Sequence, residues 1–263
     1  MVAQGTVSPG ELAAMLVYLT VAQSLLNDIV DIIRDYPFMI NAASRVREFY
    51  DSPEIISAHF VEHFSNMKGE NLAFAYSDKI VFENLNFSIF RGDKITVCGE
   101  NGHGKSTLIK IFCGLIKSYN GSLKAGDEDF KSINIEDWRS LIALAPQVPF
   151  LFRTTVRENI MISNPNADKA TVDALMDDFG ILHLADRCID SNSKLSGGEK
   201  QKISIIRALL RKSEVLILDE PSNHLDQNSI KILKNHIART PKTVIMISHE
   251  APLSDIADRC IQV

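Results

Sequence analysis

Nine consecutive residues, Gly99-Glu-Asn-Gly-His-Gly-Lys-Ser-Thr107, constrain the fold of this 263-residue chain more than any other stretch. Their spacing is G-x-x-x-x-G-K-[ST], and it needs a strand before it and a helix after it. Both are legible. Lys94-Ile-Thr-Val-Cys98 is an apolar, β-branched run that reads as a buried strand, and Leu108-Ile-Lys-Ile-Phe-Cys113 is apolar at helical spacing. Glycines let the backbone approach a polyphosphate, so amide N–H groups and a helix N-terminus face negative charge. Lys105 can reach β- and γ-phosphates, and the Ser106 hydroxyl can ligate Mg²⁺. Gly99, Glu100, Asn101, Gly102, His103, Gly104, Lys105, Ser106 and Thr107 are therefore candidate nucleotide-binding residues.

Two further runs, Glu214-Val-Leu-Ile-Leu-Asp219 and Thr243-Val-Ile-Met-Ile-Ser248, are continuously apolar. Such runs suit strands buried on both faces of a parallel sheet. The first ends in Asp219-Glu220, and a strand can deliver one carboxylate to Mg²⁺ while the next acid polarises an attacking water. Residues 72–76 and 85–89 alternate as half-buried strands do, with Arg91-Gly-Asp93 as a tight turn, and 117–129 reads as a hairpin region. From Asn134 to about Arg211 helical patterns dominate. There, Leu195-Ser-Gly-Gly-Glu-Lys-Gln201 opens a helix with Ser196 as its N-cap and two glycines leaving its N-terminus open to an anion.

The first fifty residues have another character. Leu12 to Leu26 is apolar apart from Thr20, Gln23 and Ser24; Asp28, Asp31, Arg34 and Asp35 then interrupt it. This reads as part of a membrane helix continuing into an amphipathic cytoplasmic one, with a helix stop at Asp51-Ser-Pro-Glu54. No Lys or Arg precedes the run, which argues against a signal peptide. The net charge of −5 and pI of about 5.8 leave no overall basic footprint, so nucleic acid is not an expected partner. The four cysteines are scattered without a C-x-x-C pair, which predicts reduced thiols rather than a zinc site or a disulfide framework. Cys98 reads as a small buried strand residue.

Leu195-Ser-Gly-Gly198 resembles the signature of ATP-binding cassette (ABC) ATPases, and the other cassette elements follow in that family's order from about residue 60 to 263. Tyr76, 23 residues before Gly99, resembles the aromatic that stacks on adenine. Gln147 resembles the loop glutamine that senses Mg²⁺ and the transmembrane partner. Asp219 and Glu220 match the Mg²⁺ aspartate and the catalytic glutamate. Ser222-Asn-His-Leu-Asp226 matches the loop that crosses to the opposite subunit, and His249 matches the switch histidine at the γ-phosphate. The resemblance implies ATP and Mg²⁺ as ligands, with Ser106, Gln147 and Asp219 about the metal and Glu220 and His249 catalytic. It implies that Ser196, Gly197, Gly198 and Asp226 complete the site of a second cassette in a homo- or heterodimer. The expected fold is α/β: a P-loop cassette with an antiparallel β subdomain and a helical subdomain (about 148–206), preceded by an N-terminal helix.

Within the family, Gly10 to Arg47 looks like the last membrane helix and coupling region of a type I exporter. Trp138 to Gln147 and Phe150 to Ile160 resemble the same group on either side of the loop glutamine. The division expected is 1–50 as the end of an exporter's transmembrane domain, 51–59 as linker and 60–263 as the ATP-binding domain, with the first five membrane helices outside this sequence. The resemblance places the cassette on the cytoplasmic side of a cell membrane, partnered by a transmembrane domain. Leu-Ser-Gly-Gly-Glu-Lys and Asn-His-Leu-Asp also resemble the soluble F-subfamily that acts in translation; those proteins carry two cassettes per chain, and an acidic chain is a poor partner for RNA. One departure from the exporter pattern precedes the signature, where Cys188 to Lys194 replaces a longer Gly- and Glu-rich stretch.

Overall fold

The computed structural model describes residues 8–50, 59–77, 79–100, 102–190, 195–247 and 255–263. The chain divides into two units, Met1–Ile56 and Ser57–Val263. In the first, a single 42-residue helix, α1 (Pro9–Tyr50), absorbs the whole apolar run. Ser8 and Glu11 cap it reciprocally, Glu11 N–H donating to the serine hydroxyl at 3.2 Å and Ser8 N–H to the Glu11 carboxylate at 2.7 Å. Leu16, Leu19, Leu26, Ile33 and Phe38 are all exposed. The stretch Gly10–Ser44 is long and apolar enough to cross a membrane. At about 1.5 Å per residue it exceeds a hydrocarbon core of about 30 Å. Past the apolar run, Arg34 pairs with Asp31 at 3.0 Å. Pro37 sits inside the helix, where it has no N–H to return to the carbonyl of Ile33.

The second unit holds two sheets. An antiparallel sheet takes the order β2-β1-β4-β5, from β1 (Asn66–Tyr76), β2 (Lys79–Phe90), β4 (Asn120–Ala125) and β5 (Glu128–Asp129). A five-stranded parallel sheet takes the order β6-β7-β8-β3-β9, from β3 (Lys94–Cys98), β6 (Ile142–Ala145), β7 (Val215–Asp219), β8 (Thr243–Ile247) and β9 (Arg259–Gln262). The apolar runs are continuous because the parallel sheet is covered on both faces. Val215, Ile217, Ile245 and Ile247 join a core with the antiparallel sheet and α2 (Lys105–Phe112). Their alternates Leu216, Leu218, Val244 and Met246 join a second core with α4 (Val156–Met161), α5 (Lys169–Asp178), α6 (Gly197–Leu210) and α7 (Gln227–Arg239). The two-residue side-chain period of a strand assigns each residue to its core.

Two local expectations needed correction, and one strand was not foreseen. The helical stretch read from Asn134 onward is interrupted: α3 (Ile135–Ser140) is followed at once by β6. Four residues are too few to show a period, and β6 is defined by its ladder with β7, Ile142 opposite Val215. Strand β9 carried no apolar run because only Ile261 of its four residues is buried. Finally, the structure joins Cys98 to Cys260 as a disulfide between β3 and β9. Thr96 is the register partner of Cys260, so Cys98 lies diagonally across the same sheet face, with a Cα separation of 6.1 Å. A pairing 162 residues apart follows from strand order, which cysteine spacing does not encode.

Candidate functional site

The strand–loop–helix unit forms as its spacing requires. β3 delivers the chain to Gly99, and α2 begins at Lys105. Gly104, at φ 89°, takes the N-cap position of α2 with no side-chain cap, so the helix N-terminus is left to a ligand. A Cβ at Gly104 would lie 2.3 Å from the Val81 methyl, so only glycine fits where β2 crosses the loop. Lys105 is 6% exposed, and its ammonium donates to the carbonyls of Gly99 and Glu100, each at 2.8 Å. The loop thus holds its cation ready beside the helix terminus. His103 faces Glu100, Nδ1 to carboxylate 3.8 Å.

A cleft of about 400 Å³ opens on this loop. Tyr76, Gly102, Gly104, Lys105, Ser106, Thr107, Gln147 and Glu220 line it, so eight residues named from sequence converge there. That volume lies in the range of small-molecule sites. Tyr76 stands at the end of β1, half exposed, its ring meeting Phe74 edge-on at 4.7 Å.

Behind the lining residue Ser106, β7 places Asp219 in hydrogen-bond contact with that serine. Burial, reinforced by the neighbouring Glu220 charge, pushes the Asp219 carboxyl above its ordinary value against the pull of Ser106, Lys110 and Lys105. Its Oδ1 is buried with no hydrogen-bond partner among the described residues. An orphaned buried carboxylate oxygen beside a hydroxyl fits a divalent cation that takes its remaining ligands from phosphate and water, as Mg²⁺ does. No cluster of three His, Cys, Asp or Glu that could cage a metal occurs among the described residues.

Glu220 follows at φ 48°, and its Oε2 accepts from Gln147 Nε2 and from Asn223 Nδ2, both at 2.7 Å. Gln147 comes from the segment after β6. That segment is anchored by fully buried Asn159, whose side chain bonds both backbone groups of Phe152, and by Arg207, which donates to Phe150 O and Asn159 O at 2.9 Å. Burial draws the Arg207 guanidinium below its ordinary value.

Ser196, Gly197, Gly198 and Asp226 do not line this cleft. They form a second feature on the same chain. Ser196 and Glu199 make a capping box on α6, Glu199 N–H to the hydroxyl at 3.2 Å and Ser196 N–H to the carboxylate at 2.7 Å. The two glycines are pressed by the loop after β7: a Cβ on Gly198 would lie 2.6 Å from the carbonyl oxygen of His224. Asp226 caps α7 and accepts from Lys202 Nζ at 2.9 Å. That ammonium, with the N–H of Ser229, holds its carboxyl well below the usual range. Asn101 and His249 lie outside the described residues. Sequence reasoning named Asn223 and His224 only as part of the crossing loop and passed over Lys202, whose contact with Asp226 joins segments that only the fold brings together.

Residues 82–223 match the family model described as ABC transporter. The chain is 30% identical over 266 residues to the ABC multidrug transporter mdr2 of Aspergillus fumigatus, an alignment covering 95% of this chain and 34% of that protein. It is 28% identical over 270 residues to a putative export ATP-binding/permease protein of Rickettsia typhi, covering 97% and 47%. It therefore spans between a third and a half of the length of these relatives. Its backbone matches that of a bacterial Atm1-family ABC exporter with ATP bound, with a TM-score of 0.76 at 23% identity, over 99% of this chain and 49% of the other.

Proposed function

This chain belongs to the ABC transporter family, and we propose that it is the ATP-hydrolysing cassette of an exporter, joined to its last membrane helix. The observation that carries the proposal is the cleft in which Lys105, Ser106 and Glu220 meet, with Asp219 against Ser106. On binding ATP, the Lys105 ammonium exchanges the carbonyls of Gly99 and Glu100 for phosphate oxygens, and loop amides and the α2 terminus surround the anion. Tyr76 stacks on the base. Ser106, Asp219 and Gln147 would hold Mg²⁺, which would supply positive charge to neutralise the phosphates. Glu220 orients a water toward the γ-phosphate and accepts its proton as the water attacks, while His249 contacts the same phosphate.

One loop cannot enclose a polyanionic nucleotide. The α6 terminus at Ser196–Gly198 of a second cassette completes the enclosure, so ATP closes a head-to-tail dimer and hydrolysis opens it. Helix α1 belongs to a transmembrane domain, the cassette lies on the cytoplasmic side, and opening and closing drive transport. Both relatives are named for export or multidrug transport, which supports this reading; a role in translation draws no such support. The test is Glu220→Gln, assayed by single-turnover hydrolysis and by ATP affinity. The expected result is turnover reduced about 10²–10⁴-fold with ATP binding retained. Near-normal turnover would remove Glu220 from the chemistry.

A further inference from the structure

Beyond Glu220 the backbone folds tightly on itself. The N–H of Asn223 returns to the Glu220 carbonyl at 3.2 Å, and the N–H of Leu225 to the Ser222 carbonyl at 3.0 Å. The first of these turns brings the Asn223 side chain back over Glu220, where Nδ2 donates to Oε2 at 2.7 Å. Gln147 reaches the same oxygen, but the two donors are held differently. Gln147 comes from the separate segment after β6, 73 residues away in sequence. Asn223 shares one turn with Glu220 and is followed by His224, at φ 64°, whose carbonyl and ring are packed on Gly198 and Gly197. Asn223 is thus bonded to Glu220 at the end of β7 and followed directly by the residue that packs on the start of α6.

We propose that Asn223 is a positioning residue for Glu220. Its side-chain amide holds the carboxylate in line with the cleft. This rests on the reading of Glu220 as the group that activates water. A carboxylate on a flexible two-carbon stem has many rotamers, and misplacing a catalytic group by about 1 Å can cost about a hundredfold in rate. A hydrogen bond to a charged acceptor is strong enough to select one rotamer. In the proposed cycle Gln147 turns to the metal when nucleotide binds, and Asn223 stays with the carboxylate. It touches neither nucleotide nor metal on this account, so its loss is felt in turnover and spares affinity.

The experiment measures kcat and KM for MgATP on the full chain in detergent. The variants are Asn223→Ala, Asn223→Asp and Asn223→Gln, with Glu220→Gln alongside. Asn223→Asp keeps the shape of the turn and removes the donor; Asn223→Gln keeps the donor on a longer arm. The expected result is a kcat lowered about ten- to a hundredfold in the Ala and Asp variants. Their KM stays within about twofold of the parent's, and the Gln variant recovers part of the rate. A parent-like kcat in Asn223→Asp would overturn the proposal, as would a loss shared equally by all three variants with a raised KM. If Glu220→Gln is inactive while Asn223→Asp is normal, the role of Asn223 fails and that of Glu220 stands. If Glu220→Gln itself turns over normally, both fall.

Discussion

Lys202 Nζ meets Asp226 Oδ2 at 2.9 Å, tying the signature helix α6 to the first turn of α7. The lysine is mostly buried and the carboxylate mostly exposed, so the pair is worth about 0.5–1 kcal/mol. Lys202→Met should therefore cost less than Asp226→Ala, which also removes the bond to Ser229 N–H and the cap, about 1 kcal/mol more. Asp226 is held below its ordinary value, so its contribution is present above about pH 4 and fades as pH falls through the folded value. Thermal melting at pH 7 and at pH 3 checks this. A Lys202→Met penalty that grows on acidification would contradict the assignment.

Asp219 is shifted the other way. A buried carboxyl raised above its ordinary value costs nothing below the usual carboxylate range, where folded and unfolded chains are both protonated. The cost grows as pH rises and is complete above the folded value. Asp219→Asn should therefore stabilise the nucleotide-free protein at pH 7, by about 2–4 °C for each kcal/mol relieved, with little gain at pH 3. It should also weaken Mg²⁺-dependent ATP binding. A variant less stable than the parent in the absence of nucleotide would show that the buried charge is compensated.

If the site is shared between two cassettes, Ser196→Arg and Lys105→Ala should each lose hydrolysis for different reasons. Mixed, they form some dimers in which one composite site keeps both good halves. Part of the activity should return on mixing, greatest near equal amounts. Absence of recovery at every ratio would place the whole site within one chain.

The exposed face of α1 predicts membrane association. The full chain should co-float with phospholipid vesicles and self-associate in detergent-free buffer, whereas a chain beginning at Ser57 should elute as one monodisperse species. Identical elution of the two would count against a membrane-spanning α1.

The Cys98–Cys260 link can be counted. Unfolded without reductant, the chain should titrate two thiols, from Cys113 and Cys188, and four after reduction. Burial pushes the Cys113 thiol up to about 12, so in the folded protein Cys188, which is exposed, should be alkylated far faster. Four thiols before reduction would show that the pair is open under those conditions.

The glycine spacing of 99–107 made the phosphate loop legible, because few residue types survive where backbone must pass as closely as Gly104 passes Val81. The continuous apolar runs of β7 and β8 announced a doubly covered sheet for an equally local reason: each alternate residue needs a core of its own. Ser196 was readable as a cap because a helix terminus asks for its acceptor within three residues. Other features depended on partners far along the chain. β6 is a strand by virtue of Val215, Cys98 is joined to Cys260, and Gln147 and Asn223 share one oxygen of Glu220. In each case the residue's identity permits several partners, and the choice among them is made by strand order and by which turns the two cores bring together. Local sequence therefore determined the chemistry this chain carries, and tertiary packing decided where each group is held.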